Sequence, residues 1–485
     1  MSVQVVYKNK AKSSNLGVIA LFVDEKFRIK NTNGFLSKNE ISYIEKTLKN
    51  KKNTKENIVS FNINEKTTVI LISLKKDLKS FDVENLGAVF YNFIKKNSFK
   101  DLSIISQSVK SKPGKDFIGR FMHGLKLKSY EFNIYKSKKT KNIITINIIG
   151  KQSSTALKNK LKFKALEEGT FFTRDLVSEP GNILHPDEYA KRLIKLKKYG
   201  LKVTVYDKKK LKKLGLNALL GVGQGSIRGS YLVTIEWKGS KSKSKPLGFV
   251  GKGVCFDTGG ISLKPAKFME DMTYDMAGSA VVVGLMKNFA IRKAKINAIG
   301  VVGLVENMPG GNAQRPGDIV KSYSGKTIEV LNTDAEGRLI LADALAYASK
   351  HYDPEYMLDF ATLTGAIVIT LGGIATGIMG NNEVLIENIK VSSENTGEHV
   401  WQLPLWDEYC DQVKSKVADL KNLGSPGQAG SIAGAAFLKA FVREDIPWVH
   451  FDIAGTASHV ENRSYAQKDG ASGQVIRLVL DLLGV

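Results

Sequence analysis

Four carboxylates stand out in residues 250–339, because each lies in a glycine-rich segment of a kind that forms loops. They are Asp257, Asp275, Asp334 and Glu336. Asp334 and Glu336 are two residues apart, so an extended segment would place both side chains on one face. Packed together without compensation, the four groups would repel and raise one another's pKa values. Two divalent cations about 3–4 Å apart remove that conflict, so the pattern predicts a two-metal site.

The nearby residue types indicate which metals such a site would bind. None of the six histidines lies in these segments, so the ligands would be mostly oxygen atoms, which suits Mn²⁺ or Mg²⁺ and still permits Zn²⁺. Lys252 could join as a neutral amine, since nearby metal charge can depress its pKa far below the usual ~10.4. The alternative is that Asp and Gly merely form turns, as they commonly do in loops.

Other chemistries find less support in the sequence. A Gly-x-Ser-x-Gly motif, which would indicate a serine nucleophile, is absent. Cys255 lies between apolar neighbours with no histidine nearby, which is typical of a buried small hydrophobic residue. Gly221–Gly225 resembles a dinucleotide-binding loop, but it lacks the third glycine and precedes a predicted strand, Tyr231–Trp237. We interpret it as a turn.

Strands and helices alternate in the first part of the chain. Helical spacing is seen at Ser37–Lys49 and Val83–Lys96. Apolar runs typical of strands occur at Gly17–Val23, Thr67–Leu74, Asp101–Ser106 and Asn142–Ile149. This alternation predicts an α/β layered domain with an at least partly parallel sheet.

A long helical stretch, Ser154–Ser178, is predicted to connect two domains, residues 1–165 and residues 166–485. Beyond it a helix is predicted at Pro186–Lys198. Further strands are predicted at Lys202–Tyr206, Tyr231–Trp237, Pro246–Gly251, Ala298–Leu304, Tyr356–Thr362 and Trp448–Asp452. The predicted fold class is α/β, with a smaller N-terminal α/β domain and a larger C-terminal α/β catalytic domain that has a mixed, largely parallel central sheet.

Positive charge is concentrated in the N-terminal part of the chain. Residues 1–170 contain 34 Lys and Arg against 14 Asp and Glu, a net charge of +20 out of +25 for the whole chain. Such asymmetry can indicate an anionic partner such as nucleic acid. Almost every cation there is Lys, which is weaker than Arg in bidentate phosphate recognition, and no nucleic-acid-binding motif accompanies it. We favour a solvated lysine-rich surface and keep nucleic acid as an alternative.

The composition predicts a cytoplasmic protein. The two cysteines, Cys255 and Cys410, cannot form a disulfide framework, which fits a reducing compartment. The N-terminus lacks the continuous apolar run of a signal peptide. The most apolar long stretch, Met357–Met379, contains Asp359 and four glycines, so it is predicted as a buried strand and a glycine-rich loop. We expect no membrane partner.

At these residues the chain resembles the leucyl (cytosol) aminopeptidase family. Asn332–Leu339, NTDAEGRL, has the form of that family's highly specific signature. Other segments follow in the family's order, namely Arg174–Asn182, Gly221–Ser226, Val250–Pro265, Glu306–Ile319, Ala361–Gly365 and Trp448–Thr456. The resemblance covers residues 165–485, whereas the first 165 residues match only in size and α/β character.

The resemblance implies a set of metal ligands. Asp257 and Glu336 would bridge two divalent ions, Mn²⁺ or Zn²⁺. Lys252 and Asp275 would complete the tighter site, and Asp334 would complete the more exchangeable one. No ligand position of the family is missing, which implies an active enzyme.

The resemblance also implies residues that act on the substrate. Lys264 would polarise the scissile carbonyl and stabilise the developing oxyanion. Arg338 would hold a bicarbonate ion that relays protons. Met272 and Thr362 would lie near the pocket for the first side chain, and the Leu363 carbonyl near the substrate backbone.

The activity implied by the resemblance is release of N-terminal residues from peptides, preferably leucine and other apolar ones, by water that two metals activate. The family further implies a homohexamer whose active sites face an interior cavity. Two alternatives stay open. One is a DNA-binding or regulatory role of the basic N-terminal domain, and the other is phosphoester hydrolysis, with Lys264 and Arg338 binding phosphate.

Overall fold

The computed structural model describes residues 2–10, 17–29, 32, 34–50, 56–109, 116–138, 143–150, 159–242, 244–458, 460, 463–466 and 470–485. The chain divides into two compact units. The N-terminal unit comprises Met1–Glu167 and Arg463–Tyr465, and the C-terminal unit comprises Glu168–Asn462 and Ala466–Val485.

The N-terminal unit contains a six-stranded sheet in the order β1-β6-β5-β2-β4-β3, in which only β3 is antiparallel to its neighbour. Its strands are β1 (Ser2–Lys8), β2 (Val18–Asp24), β3 (Ile58–Asn62), β4 (Thr68–Leu74), β5 (Asp101–Ile105) and β6 (Ile143–Ile149). Its helices are α1 (Lys38–Asn50), α2 (Ser80–Lys96), α3 (Phe117–Ser129) and the first part of α4 (Lys160–Val177). Residues 154–158 of the predicted connecting helix lie outside the described residues.

Both faces of this sheet are buried, which explains the continuous apolar runs of its strands. In β2, Ile19 and Leu21 pack on the face that α1 covers. Ala20 and Phe22 pack on the opposite face, against α2 and α3. The alternation of side chains along the strand thus supplies two separate cores.

The C-terminal unit contains an eight-stranded mixed sheet in the order β15-β14-β17-β13-β9-β10-β8-β7, beside a three-stranded sheet of β11, β12 and β16. The strands are β7 (Lys202–Tyr206), β8 (Tyr231–Lys238), β9 (Leu247–Asp257), β10 (Asn297–Asn307), β11 (Ile319–Lys321), β12 (Thr327–Glu329), β13 (Met357–Ala361), β14 (Thr376–Gly380), β15 (Val400–Gln402), β16 (Leu420–Lys421) and β17 (Trp448–Asp452). The helices are α5 (Pro186–Ile194), α6 (Lys208–Leu214), α7 (Asn217–Gly223), α8 (Ala277–Arg292), α9 (Gly337–Tyr352), α10 (Gly365–Leu371), α11 (Glu383–Thr396), α12 (Asp407–Asp411), α13 (Gly430–Lys439) and α14 (Ile476–Leu482). The predicted α/β class with a mixed central sheet is confirmed.

The four central strands β17, β13, β9 and β10 are parallel to one another, so their carboxyl ends meet at one edge. These ends are Asp257, Asn307, Ala361 and Asp452. In open α/β sheets, ligands bind outside the carboxyl ends of the strands. The four carboxylates that the sequence singled out lie at this edge, Asp257 at the end of β9 and the other three in the segments that precede α8 and α9.

Helix α8 packs very closely on the centre of the sheet. Its residues Ala277–Ala290 are all buried, as expected of a helix that is apolar around its whole circumference. The close approach depends on Gly278, because a Cβ there would lie 2.0 Å from the Phe360 carbonyl oxygen. This contact fixes the start of α8, which directly follows Asp275 and Met276.

Two local predictions were wrong. Gly221 and Gly223 belong to helix α7 rather than to a turn, and Gln314 and Ser230 approach them too closely for a side chain at either position. The segment after β13 forms helix α10, which the Thr364 side chain caps, rather than a continuous loop. The segment before α9 is a turn, so the extended form that would place Asp334 and Glu336 on one face does not occur. No helix among the described residues is long and apolar enough to cross a membrane.

We expect Gly278→Ala to destabilise the C-terminal unit, because the added methyl group would collide with the Phe360 carbonyl oxygen. Such overpacking costs about 1–3 kcal/mol, and the better helix propensity of Ala offsets at most about 1 kcal/mol. Denaturant unfolding followed by circular dichroism measures the difference. Gly311→Ala is the control, since a Cβ there meets no atom within 4 Å. Equal midpoints for the two variants would contradict the packing argument.

Candidate active site

Three carboxylates converge at the carboxyl edge of the central sheet. Asp257 ends β9, whereas Asp334 and Glu336 lie in the turn that leads into α9. Each offers an oxygen atom, and the three oxygens lie within 4.8 Å of one another. Asp257 and Glu336 are each 2% exposed, so water screens their charges poorly.

The turn geometry explains how Asp334 and Glu336 converge without an extended strand. The Asp334 N–H donates to the side-chain oxygen of Asn332 at 2.8 Å, and the Ala335 N–H donates to the Asn332 carbonyl at 3.2 Å. An asparagine that bonds to the backbone two residues later forms a compact turn. The chain then enters α9 with Glu336 in a helical conformation.

Lys252, which lies inside β9, joins this cluster to the fourth carboxylate. Its Nζ lies 2.8 Å from Asp275 Oδ1 and 2.8 Å from Glu336 Oε1. It also donates to the Thr362 carbonyl oxygen at 2.8 Å. Burial lowers the pKa of Lys252, but the carboxylates around it outweigh that effect and the net shift is upward.

Lys264 reaches the same cluster from the more exposed side. Its Nζ lies 2.9 Å from Asp257 Oδ2 and also forms an ion pair with Asp334. The side chain is 21% exposed, whereas that of Lys252 is 3% exposed. Lys264 is therefore the cation of the site that solvent, or a molecule entering from solvent, can reach.

The pKa shifts of the carboxyl groups reflect a surplus of negative charge. Burial, with Asp257 and Glu336 nearby, raises the pKa of Asp334 to about 6. Burial likewise raises the pKa values of Asp275 and Glu336. Two ammonium groups face four carboxylates, so the lysines offset only half of the formal negative charge.

These residues fit a group that brings positive charge. Asp275 Oδ2 is buried and has no hydrogen-bond partner among the described residues, while Oδ1 accepts hydrogen bonds from Lys252 and Thr362. A buried carboxylate oxygen without a partner is costly. Divalent cations bound by oxygen ligands would satisfy this atom and neutralise the cluster.

Asn307 and Thr333 hold the two carboxylate-bearing loops together, and the search for charged residues in the sequence missed both. Asn307 Nδ2 donates to Asp257 Oδ1 at 2.7 Å and to the Thr333 carbonyl at 3.0 Å. Thr333 Oγ1 donates to the Gly259 carbonyl at 2.6 Å. Gly259 has φ +87°, which favours glycine. Asn307 could have been found from its position at the end of β10, the strand that pairs with β9.

Asp452 is a third residue that the sequence search missed. Its Oδ1 accepts the Leu363 N–H at 3.1 Å, and its Oδ2 accepts the Thr364 hydroxyl at 2.6 Å. Thr362, on the other side of Leu363, donates its hydroxyl to Asp275 Oδ1 at 2.8 Å. The loop of Thr362 and Leu363 is thus fixed between the carboxylate cluster and the end of β17.

Arg338 and Met272 lie on the two helical segments that flank the cluster. Arg338, in the first turn of α9, is buried, and its Nε has no hydrogen-bond partner among the described residues. Burial lowers the pKa of Arg338 to about 10, although Glu336 and Asp452 act in the opposite direction. Met272 lies half-buried in the 3-10 turn Met269–Tyr274, just before Asp275.

The sequence matches known proteins over most of its length. Residues 171–480 match the family model described as the cytosol aminopeptidase family, catalytic domain. A probable cytosol aminopeptidase of Chelativorans sp. (strain BNC1) is 51% identical over 361 residues, which are 73% of this chain and 72% of that protein. Another, of Phytoplasma australiense, is 52% identical over 365 residues, which are 75% of this chain and 74% of that protein.

The fold also matches solved structures. The structure described as "Bottromycin maturation enzyme BotP in complex with Mn" has a TM-score of 0.83 and 28% identity, and the match covers 96% of this chain and 99% of that one. The family match spans more than half of the chain, and the two relatives share about half of their aligned residues with it. This chain therefore belongs to the cytosol aminopeptidase family.

Proposed function

We propose that this protein is an aminopeptidase that uses two divalent ions, Mn²⁺ or Zn²⁺, to release N-terminal residues from peptides, preferably leucine and other apolar ones. The observation that carries the proposal is the surplus of buried carboxylates, with Asp275 Oδ2 left without a partner in the part of the chain that the structure describes. The names of the relatives, probable cytosol aminopeptidases, support the reaction class.

The ligand atoms divide between two positions. Lys252, Asp275 and Glu336 lie together around one of them, where Lys252 would bind as a neutral amine after losing its proton to solvent. Asp334 lies on the more exposed side with Lys264. Asp257 and Glu336, whose carboxylates face both groups, would bridge the two positions.

When bound, two divalent ions would acidify a water molecule and bind the free α-amine of a peptide, which an internal peptide bond lacks. Lys264 would direct its ammonium group at the scissile carbonyl and stabilise the developing oxyanion. Its partial exposure and its position beside Asp257 and Asp334 support this role. The ammonium group of Lys252 is held by Asp275, Glu336 and the Thr362 carbonyl, so it cannot turn toward a substrate in the same way.

Arg338 would hold a bicarbonate ion, which would supply proton-relay chemistry in place of a general-base side chain. The buried guanidinium, whose Nε has no hydrogen-bond partner within the described ranges, supports an anion at this position. On the substrate side, the Leu363 carbonyl would accept a hydrogen bond from the peptide backbone. Thr362 and Met272 would border the pocket for the first side chain, and the half-buried thioether of Met272 suits apolar residues.

The protein would act as a cytoplasmic homohexamer. Large apolar side chains on the surface of the C-terminal unit support self-association, since Ile369 is 90% exposed, Trp401 65% and Trp406 64%. The name of the relatives supports the cytoplasmic location.

Purified protein supplied with Mn²⁺ is expected to release p-nitroaniline from leucine p-nitroanilide but not from the N-acetylated compound, and chelation should stop the release. Asp334→Ala/Glu336→Ala should lower kcat/KM by roughly 10³-fold or more, because the ligands are lost. Glu387→Ala/Glu394→Ala is the matched control, since it removes two exposed carboxylates elsewhere. Faster turnover of p-nitrophenyl phosphate than of the peptide analogue would instead favour phosphoester hydrolysis.

Lys264→Met is expected to lower kcat by roughly 10²–10³-fold with a small change in KM, because a group that acts mainly on the transition state is lost. Lys264→Arg keeps the charge and should recover part of the rate. Bound metal, measured by mass spectrometry, should stay at the wild-type level in both variants. An unchanged kcat in Lys264→Met would exclude the proposed role.

The basic N-terminal part supports a second role, binding of DNA. Its net charge of +20 over residues 1–170 is the observation that favours it. If phosphate contacts drive such binding, retention on duplex DNA should fall steeply between about 50 and 200 mM salt. A lack of retention even at the lower salt concentration would dismiss this role and leave the peptidase proposal intact.

A further inference from the structure

In the sheet of the N-terminal unit there are two adjacent strands whose following segments lead to helices on opposite faces of the sheet. Strands β5 and β2 are neighbours and parallel. From β2 the chain continues to α1, which packs with Ile19 and Leu21 on one face, whereas from β5 it continues to α3, which packs with Phe22 on the other. Such a switch point opens a crevice at the carboxyl ends of the strands, where ligands of α/β proteins bind.

A cavity lies at this place. β5 and β2 stay paired as far as Ile105 and Leu21, and the next N–H of β2, that of Phe22, donates instead to the Ser108 hydroxyl at 2.8 Å. The cavity is lined by Ser108 and by residues at the carboxyl ends of β2 and β4, and it has a volume of about 380 Å³. That volume lies in the roughly 300–1,000 Å³ range of small-molecule sites.

The walls of the cavity combine an apolar floor with a basic rim. Phe22, Val23 and Leu74 line it at the end of the sheet and are at most 6% exposed; Phe22 and Leu74 belong to the core on the α2 and α3 face, and Val23 to the core on the α1 face. Lys26, Lys75 and Lys76 also line it, and all three are exposed. We name this site the lysine cleft, defined by these six residues.

The basic rim of the lysine cleft carries more positive than negative charge, because Glu25 can offset only one of its three lysines. Of the two carboxylates in the lining, Asp24 is engaged with Arg28, whose Nε donates at 2.7 Å, and with the N–H groups of residues 26 and 28. Glu25 is the other. The Nζ atoms of Lys26, Lys75 and Lys76 have no carboxylate oxygen within 4 Å in the described parts of the chain. Three lysine ammonium groups facing one cavity favour an anion.

We propose that the lysine cleft binds a phosphate-bearing small molecule with a flat apolar ring, that is, a nucleotide. The phosphate group would contact Lys26, Lys75 and Lys76, and the ring would lie on the floor of Phe22, Val23 and Leu74. The site belongs to the N-terminal unit, and its ligand class differs from the peptides proposed for the C-terminal unit. It also gives a local cause for part of the positive charge of residues 1–170.

The test is calorimetric titration of the full chain with AMP, ATP, ribose 5-phosphate and inorganic phosphate at low salt. AMP and ATP are expected to saturate one site and to bind more tightly than the two probes without a base. Lys75→Gln/Lys76→Gln should weaken AMP binding by about tenfold or more, since two charged contacts are lost. Lys38→Gln/Lys46→Gln removes the same charge from exposed positions of α1 outside the cleft and should leave the affinity within about twofold.

Three results would overturn the proposal. The first is the absence of saturable binding of AMP and ATP up to millimolar concentrations. The second is an equal loss of affinity in both double variants, which would indicate general attraction of anions to a basic surface. The third is inorganic phosphate binding as tightly as AMP, which would exclude a role for the apolar floor. None of these readouts depends on peptidase activity, so a failure here is separate from a failure of the proposed function.

Discussion

The repulsion among buried carboxylates is the constraint on which the rest of the C-terminal unit depends. Asp257, Asp275 and Glu336 are each at most 5% exposed; Asp257 and Glu336 have oxygens within 4.8 Å of an Asp334 oxygen, and Asp275 joins them through Lys252. In a place that excludes water, like charges at this distance oppose folding strongly. Lys252 compensates part of the charge, and the remainder is the physical reason to expect cations as constituents of the site.

A site of this kind requires a frame that cannot relax to separate the charges. The parallel strands β17, β13, β9 and β10 supply this frame. Their carboxyl ends meet at one edge of the sheet, and the hydrogen bonds between the strands hold those ends in place. The close contact of Gly278 with β13 holds the start of α8, and therefore Asp275, against the sheet. Asn307 ties the loop after β9 to the turn before α9. This frame keeps the carboxylates close together, whereas in a flexible loop they would move apart.

The sequence predicted the fold class and singled out the residues that the structure brings together, because glycine-rich loops with carboxylates stand out from ordinary loops. It predicted the backbone less well. Asp334 and Glu336 converge through a turn that Asn332 stabilises, which a rule based on strand periodicity does not represent. Helix α10 has only seven residues, too few for a periodic pattern to reveal. Asp452 was missed because its role arises from contacts with Leu363 and Thr364, almost 90 residues earlier in the chain.

The two lysines of the site show how position in the fold differentiates identical side chains. Lys252 lies within a strand, so its backbone is fixed on both sides, and three oxygen atoms surround its ammonium group at 2.8 Å. Lys264 lies in a loop, partly exposed, and both of its carboxylate partners belong to the proposed metal ligands. If cations occupied those carboxylates, as proposed, the attraction that holds Lys264 would weaken and its ammonium group would become available to a substrate oxygen. Lys252, enclosed by three oxygen atoms, would remain in place. On the proposed function, the same residue type would therefore suit a metal ligand in one position and a transition-state contact in the other, for reasons of burial and backbone constraint.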